Sequence, residues 1–331
     1  MSFDLSLITK YRTNLMGFAA LMIIICHFSV YVKSMPHFLR FIFGFGNLGV
    51  DVFLFLSGIG CYYSLCRCNN SCIFLKKRFI RVFIPYTLVS IIFLFLPCIM
   101  GGGENWVDSL YVFSTLSYWI SHRGAWYIAL LIPLYILTPT LFLGFSTLKN
   151  RILMLLIVIF SIQFLSHVTI KTEYVILNGI VDNVQWALSR CISFVLGIYI
   201  APMVQKRKHI KHTKLFCFCC IMIYLVLRLF YKELFLGWVL VPFILIVLCL
   251  FLEYSAKKYI LQFTGWLGKI SLESYLINMY LCGMMTNILI LLGLQHYIHS
   301  LYVEYLLIIV FGLVLSCVIN NLSAKIKNSI L

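Results

Sequence analysis

The sequence predicts an all-α polytopic membrane protein, a bundle of about ten transmembrane helices with both termini in the cytoplasm. Three observations lead there. Of the 331 residues, 63% are hydrophobic and 11% charged, too little polar surface to cover a soluble globule, in which about half the residues are apolar. The apolar residues gather into ten runs, each of about the 20 residues that a bilayer core requires. Lys and Arg concentrate in alternate connections, the signature of cytoplasmic loops. A net charge of +16 would point a soluble chain toward nucleic acid; distributed this way it sets topology, and no nucleic-acid partner is expected.

In chain order the expected spans are 13–33, 40–66, 82–100, 124–143, 152–170, 186–203, 215–231, 235–253, 270–292 and 303–323. With the N-terminus inside, nineteen of the 26 Lys and Arg residues fall in inner segments, among them Lys10, Arg12, Arg78, Arg81, Lys269 and Lys327. Five fall outside (Lys33, Arg40, Arg123, Lys171 and Lys232), and Arg190 and Arg228 lie within helices. The first apolar run lacks a small-residue cleavage site and continues into further spans, so no signal peptide is expected. Most loops are short. The outer segments 101–123 and 173–185 are rich in aromatic residues and are expected as interfacial helices over the bundle. Residues 1–331 then form one transmembrane domain, and any chemistry lies inside it. The thirteen cysteines show no paired framework and no zinc-like spacing; they are expected as reduced structural thiols, with no metal.

His27 is the first candidate for chemistry. It lies in YRTNLMGFAALMIIICHF, and an ionisable side chain inside an apolar helix is costly enough to suggest function. The position eleven residues earlier shares its helix face, about 20° away and about 16 Å nearer the cytoplasm; it is Met16. Arg12, one turn further back, is about 60° off that face. The alternative for His27 is an interior hydrogen bond without catalytic duty. Asp51, in GNLGVDVFLFLSGIG, is a second intramembrane ionisable group that either orients an imidazole or pairs with a cation. The KKRFIRVFIPY stretch places Lys76, Lys77, Arg78 and Arg81 at the cytoplasmic mouth of the third span, where they suit a phosphate-bearing ligand or anionic lipid headgroups. Two weaker patches are AWYIALLIPLYILTP, whose Trp126 and Tyr127 read as an outer aromatic belt, and GWLGKISLESYLIN, whose Glu273 is expected to snorkel to the cytosolic interface.

Taken in order, LMGFAALMIIICHF, GVDVFLFLSG, RFIRVFIPY, AWYIALLIPLY and GWLGKISLESYLIN resemble the acyltransferase-3 family of bacterial integral-membrane O-acyltransferases. The likeness covers roughly residues 10–90, 120–140 and 263–280. The family's first-span histidine falls on His27, and its preceding basic position on Met16, with Arg12 the nearest cation. Its second-span motif falls on Asp51, Ser57 and Gly58, its Arg-x-x-Arg…Pro element on Arg78, Arg81 and Pro85, and its terminal element on Ser271 and Tyr275–Asn278, with Asn278 where histidine is common.

The resemblance implies an enzyme of the bacterial cytoplasmic (inner) membrane that O-acetylates a polysaccharide or lipid-linked glycan. Its co-substrate would be acetyl-CoA or another acyl-CoA, with no permanently bound cofactor. It assigns catalysis to His27, with Asp51 or another acid holding the imidazole, and donor phosphates to Arg78 and Arg81, with Arg12 as the cation that would substitute for the basic position at Met16. Two other readings share the same features: a transporter or flippase of a lipid-linked sugar, and a catalytically degenerate member of the family.

Overall fold

The computed structural model describes residues 2–68, 70–100, 105–147, 149–170, 172–230, 236–294, 297 and 300–330. Lys171, Lys232, the start of the outer segment at 101–104 and the span limits at 231 and 235 lie outside the described residues. Within them the chain is a helical bundle. Its helices are α1 (Ser6–Lys10), α2 (Arg12–Tyr31), α3 (His37–Gly44), α4 (Leu48–Cys68), α5 (Ser71–Ser90), α6 (Leu96–Ile99), α7 (Trp106–Phe113) and α8 (Leu116–Ser121). They continue with α9 (Trp126–Thr147), α10 (Arg151–Leu165), α11 (Val175–Gln205), α12 (Thr213–Phe230), α13 (Gly237–Tyr254), α14 (Lys258–Lys269), α15 (Ser271–Leu291) and α16 (Leu301–Ile330). A two-residue strand, β1 (Phe3–Asp4), pairs antiparallel with β2 (His209–Ile210) and ties the N-terminal segment to the loop after α11.

Among the described residues nine helices are long and apolar enough to cross a membrane, and they coincide with nine of the ten expected spans. The remaining one, expected at 152–170, is α10, a helix of 15 residues. At 1.5 Å per residue it reaches about 22 Å, short of the roughly 30 Å of hydrocarbon in a typical bilayer. Its start is set locally by Asn150, whose side chain accepts the Leu153 N–H at 3.2 Å. Asn70 caps α5 in the same way, accepting from Cys72 and Ile73 N–H at 2.8 and 3.1 Å. Further along, Pro97 follows a single wide turn at Ile91–Phe95. A proline clashes with the carbonyl four residues before it, and the extra residue in that turn relieves the clash.

The two segments expected outside divide. Residues 106–121 form the two short helices α7 and α8. They are fastened to the bundle by Tyr118 Oη donating to Asn183 O at 3.0 Å and by His122 Nδ1 at 2.7 Å from Asn183 Oδ1. The segment 173–185, expected as a separate interfacial helix, is instead largely the first turns of α11, which runs unbroken through 31 residues. Asp182, Asn183 and Gln185 interrupt the hydropathy of this stretch without interrupting its hydrogen-bonding ladder.

Two backbone crossings hold the interior. A Cβ at Gly58 would collide with Phe194 O and one at Gly197 with Phe55 O, so α4 and α11 meet main chain to main chain. Gly17 and Gly268 let α2 and α14 approach equally closely, against Thr264 O and Thr13 O. In hydrocarbon, where no hydrophobic force drives helices together, such close packing is a principal source of association. The second crossing matters for the site. It seats α14, an amphipathic helix absent from the expected spans, against the first turns of α2, and so brings Lys269 and the start of α15 beside Arg12.

Candidate functional site

α2, α4, α5, α9, α14, α15 and α16 enclose a cavity of about 400 Å³. Five cations line one end: Arg12, Arg78, Arg81, Lys269 and Lys327. Ile23, Val50, Phe53 and Leu131 also line it, with Tyr127 and Tyr275, while Tyr135 lies nearer the arginines, its ring 6.4 Å from that of Phe79. The three arginines singled out in the sequence are therefore brought together from two helices. Lys76 and Lys77, in the same basic run, point away and are exposed.

Gly60 explains how two of these cations come so close. Arg78 donates to Gly60 O and lies over the Phe74 ring at 5.7 Å. Arg12 Nη2 reaches Leu56 O at 3.4 Å. A Cβ on residue 60 would stand 2.9 Å from Arg12 Nη2 and 3.6 Å from Arg78 Nη1. The bare α-carbon thus leaves the space in which both guanidinium groups converge. Among the described residues none of the five cations makes an ion pair, and Arg12 Nε is buried without a hydrogen-bond partner. Five cations gathered around a single carboxylate, Glu273, leave a net positive site that suits an anion, and guanidinium forks match phosphate geometry. Met16 lines the same cavity, and the nearby charge comes from Arg12.

Glu273 is the one carboxylate in this lining. It does not snorkel, as the sequence suggested. It is buried, with Oε1 accepting from Asn320 Nδ2 at 3.1 Å, because α14 and α16 cover the first turn of α15. Tyr127, expected in an outer aromatic belt, is likewise interior; its ring packs at 6.3 Å from Phe53 and 5.5 Å from Tyr275.

His27 is half-buried and lies one helical turn beyond Ile23, about 6 Å further along α2 than the innermost α2 residue of the cavity. Its Nδ1 is 2.6 Å from Asn278 Oδ1 on α15. The acid expected to hold the imidazole is elsewhere. Asp51 is fully buried and gives both oxygens to α11: Oδ2 to Arg190 Nη1 at 2.7 Å and Oδ1 to Ser193 Oγ at 2.8 Å. Arg190, itself buried, also stacks over Trp186 at 5.1 Å. Asp51 is thus a partner of Arg190, which leaves the orienting place to Asn278. Sequence reasoning left Arg190 unassigned. The available signal was that a cation and an acid, each inside an apolar helix, reduce their cost by meeting.

The model of the acyltransferase domain of the acyltransferase-3 family matches residues 14–321, nearly the whole chain. No curated protein and no solved structure gives a significant match. The matched region takes in His27, Asp51, Arg78, Arg81 and Asn278.

Proposed function

The chain belongs to the acyltransferase-3 family, and from that premise we propose that it is an O-acyltransferase, acetyl being the expected group, of the bacterial cytoplasmic membrane. The donor is a cytosolic acyl-CoA, and the acceptor is a hydroxyl of a cell-surface or lipid-linked glycan. One observation carries this reading: the cavity gathers five cations at one end and leads inward to within a turn of His27. The basic end suits the nucleotide phosphates of the donor. The apolar and tyrosine-lined part suits its acyl-pantetheine arm, and the whole cavity, about 400 Å³, is within the usual size of a small-ligand site, about 300–1,000 Å³.

The chemistry asks for a base at the meeting point of donor and acceptor. Neutral His27 takes the proton of the acceptor hydroxyl as that oxygen attacks the thioester carbonyl carbon. The C–S bond then breaks, and the departing thiolate recovers the proton from the imidazolium. Hydroxyl and thioester become ester and thiol, with His27 returned to its neutral form.

The test is transfer from radiolabelled acetyl-CoA, by the full chain in proteoliposomes, to lipid-linked and surface glycans extracted from bacterial membranes. Label is expected in an ester released by mild base. Folded protein that transfers no label from any acyl-CoA to any glycan fraction would refute the proposal. The basic end has its own test in Gly60→Ala. The added methyl meets the tip of a flexible Arg12 side chain, so the fold is expected to persist while Arg12 is displaced. The KM for acyl-CoA should rise about three- to tenfold, the worth of one weakened charge-assisted contact, with a smaller change in kcat.

A further inference from the structure

The hydrogen bonds behind His27 determine which of its two ring nitrogens is basic. Nδ1 lies 2.6 Å from the Asn278 amide oxygen. An amide can be built either way round, and its other contact decides the orientation. Asn278 Nδ2 is 3.5 Å from Tyr305 Oη, and Tyr305 in turn donates to the backbone carbonyl of Ile24 at 2.6 Å. A phenol has one proton; once it is given to Ile24 O, the phenol oxygen can only accept. The amide NH2 is therefore better placed facing Tyr305, across a long 3.5 Å contact, and this turns the amide oxygen toward the imidazole. That oxygen has no proton to give, so Nδ1 carries the hydrogen and Nε2 keeps its lone pair.

The arrangement is rigid as well as directional. His27 is on α2, Asn278 on α15 and Tyr305 on α16, and the carbonyl of Ile24 returns the chain of bonds to α2 one turn before it began. Tyr305 is 1% exposed and its ring is packed 5.0 Å from Phe28 and 5.6 Å from Tyr31. Asn278 is equally enclosed at 3%. Neither residue has room to reverse the pattern without breaking a buried bond.

We propose that Asn278 and Tyr305 are positioning residues that hold His27 in the Nδ1–H form and so make Nε2 its basic nitrogen. The consequence for rate rests on the acyltransferase reading above; the protonation pattern does not. An asparagine in this place orients the ring without contributing a counter-charge, in contrast to the buried aspartate of a Ser-His-Asp triad, which also stabilises the imidazolium.

The experiment is solid-state ¹⁵N NMR of the full chain, labelled at histidine, in lipid bilayers at a pH where His27 is neutral. The His27 signals are assigned by subtraction of the His27→Gln spectrum. The intact chain is expected to show a protonated Nδ1 and an unprotonated Nε2. Tyr305→Phe, which frees the amide to turn, and Asn278→Ala, which removes it, should both introduce the Nε2–H form that imidazole prefers in water. In the transfer assay both variants should lose at least about tenfold in kcat while keeping the KM for acyl-CoA, since neither residue lines the donor cavity. An Nε2–H signal in the intact chain would overturn the proposal even if neither variant folds. An Nδ1–H signal that survives Asn278→Ala would overturn it as well. An Nδ1–H chain that transfers no acyl group would leave the positioning intact and remove the function proposed for it.

Discussion

His27→Ala is expected to lower acyl transfer by about 10²- to 10⁴-fold, the usual contribution of a positioned general base, without raising the KM for acyl-CoA. The separation follows from the layout of the site. The cations lie at the start of α2 and on α5, α14 and α16, whereas His27 lies beyond the far end of the cavity. Removing the imidazole leaves Asn278 Oδ1 without its 2.6 Å partner, which costs about 1–3 kcal/mol of stability for a buried acceptor. A second substitution removes that ambiguity. His27→Gln keeps an N–H able to reach Asn278 but has no basic nitrogen, so it should fold like the native chain and remain as inactive as the alanine variant. Transfer by the native chain should also fall on the acid side as the imidazole takes up a proton, because the imidazolium has no lone pair with which to receive one from the acceptor. A glutamine variant that transfers at the native rate would remove His27 from the chemistry.

How much of this was legible in the sequence depends on the range over which each feature is encoded. Spans are local: an apolar run of sufficient length declares itself, and nine of the ten expected spans returned as helices of membrane length. Arg78 and Arg81 were also readable, because they are three residues apart on one helix and share a face. Partnerships between helices were not. Asp51 and Arg190 are 139 residues apart, and only the close crossing at Gly58 and Gly197 places them together. The residues alone leave Asp51 open between an imidazole and a cation without naming the cation, and they mark Asn278 only as a departure from a family pattern, not as the residue that touches His27. Glu273 was misplaced for a related reason. Its depth was judged from distance to the end of an apolar run, and the helix α14 that covers it is too short and too amphipathic to appear as a span.

The buried ion pair yields the other large effect. Arg190→Met is expected to destabilise the protein by about 3–5 kcal/mol, because it leaves the Asp51 carboxylate in the interior with Ser193 as its one remaining side-chain partner among the described residues. Asp51→Leu should cost a similar amount, because it removes the carboxylate that offsets the burial of the Arg190 guanidinium. The informative variant is the double one, Asp51→Leu with Arg190→Met. With both charges gone nothing charged is left buried without a partner, and exchanges of this kind for well-packed apolar groups are often neutral or stabilising by about 1–4 kcal/mol. The loss of the Arg190–Trp186 contact works against full recovery, by about 2 kcal/mol at a desolvated site. Thermal unfolding of the detergent-solubilised chain should therefore show two strongly destabilised single variants and a double variant close to the native melting temperature. Acyl transfer should follow stability, since both oxygens of Asp51 are engaged with α11 and His27 Nδ1 is held by Asn278. A double variant that melts like the native chain but transfers no acyl group would show that the charges themselves serve the reaction, and would return Asp51 to the catalytic role that its position in the family motif first suggested.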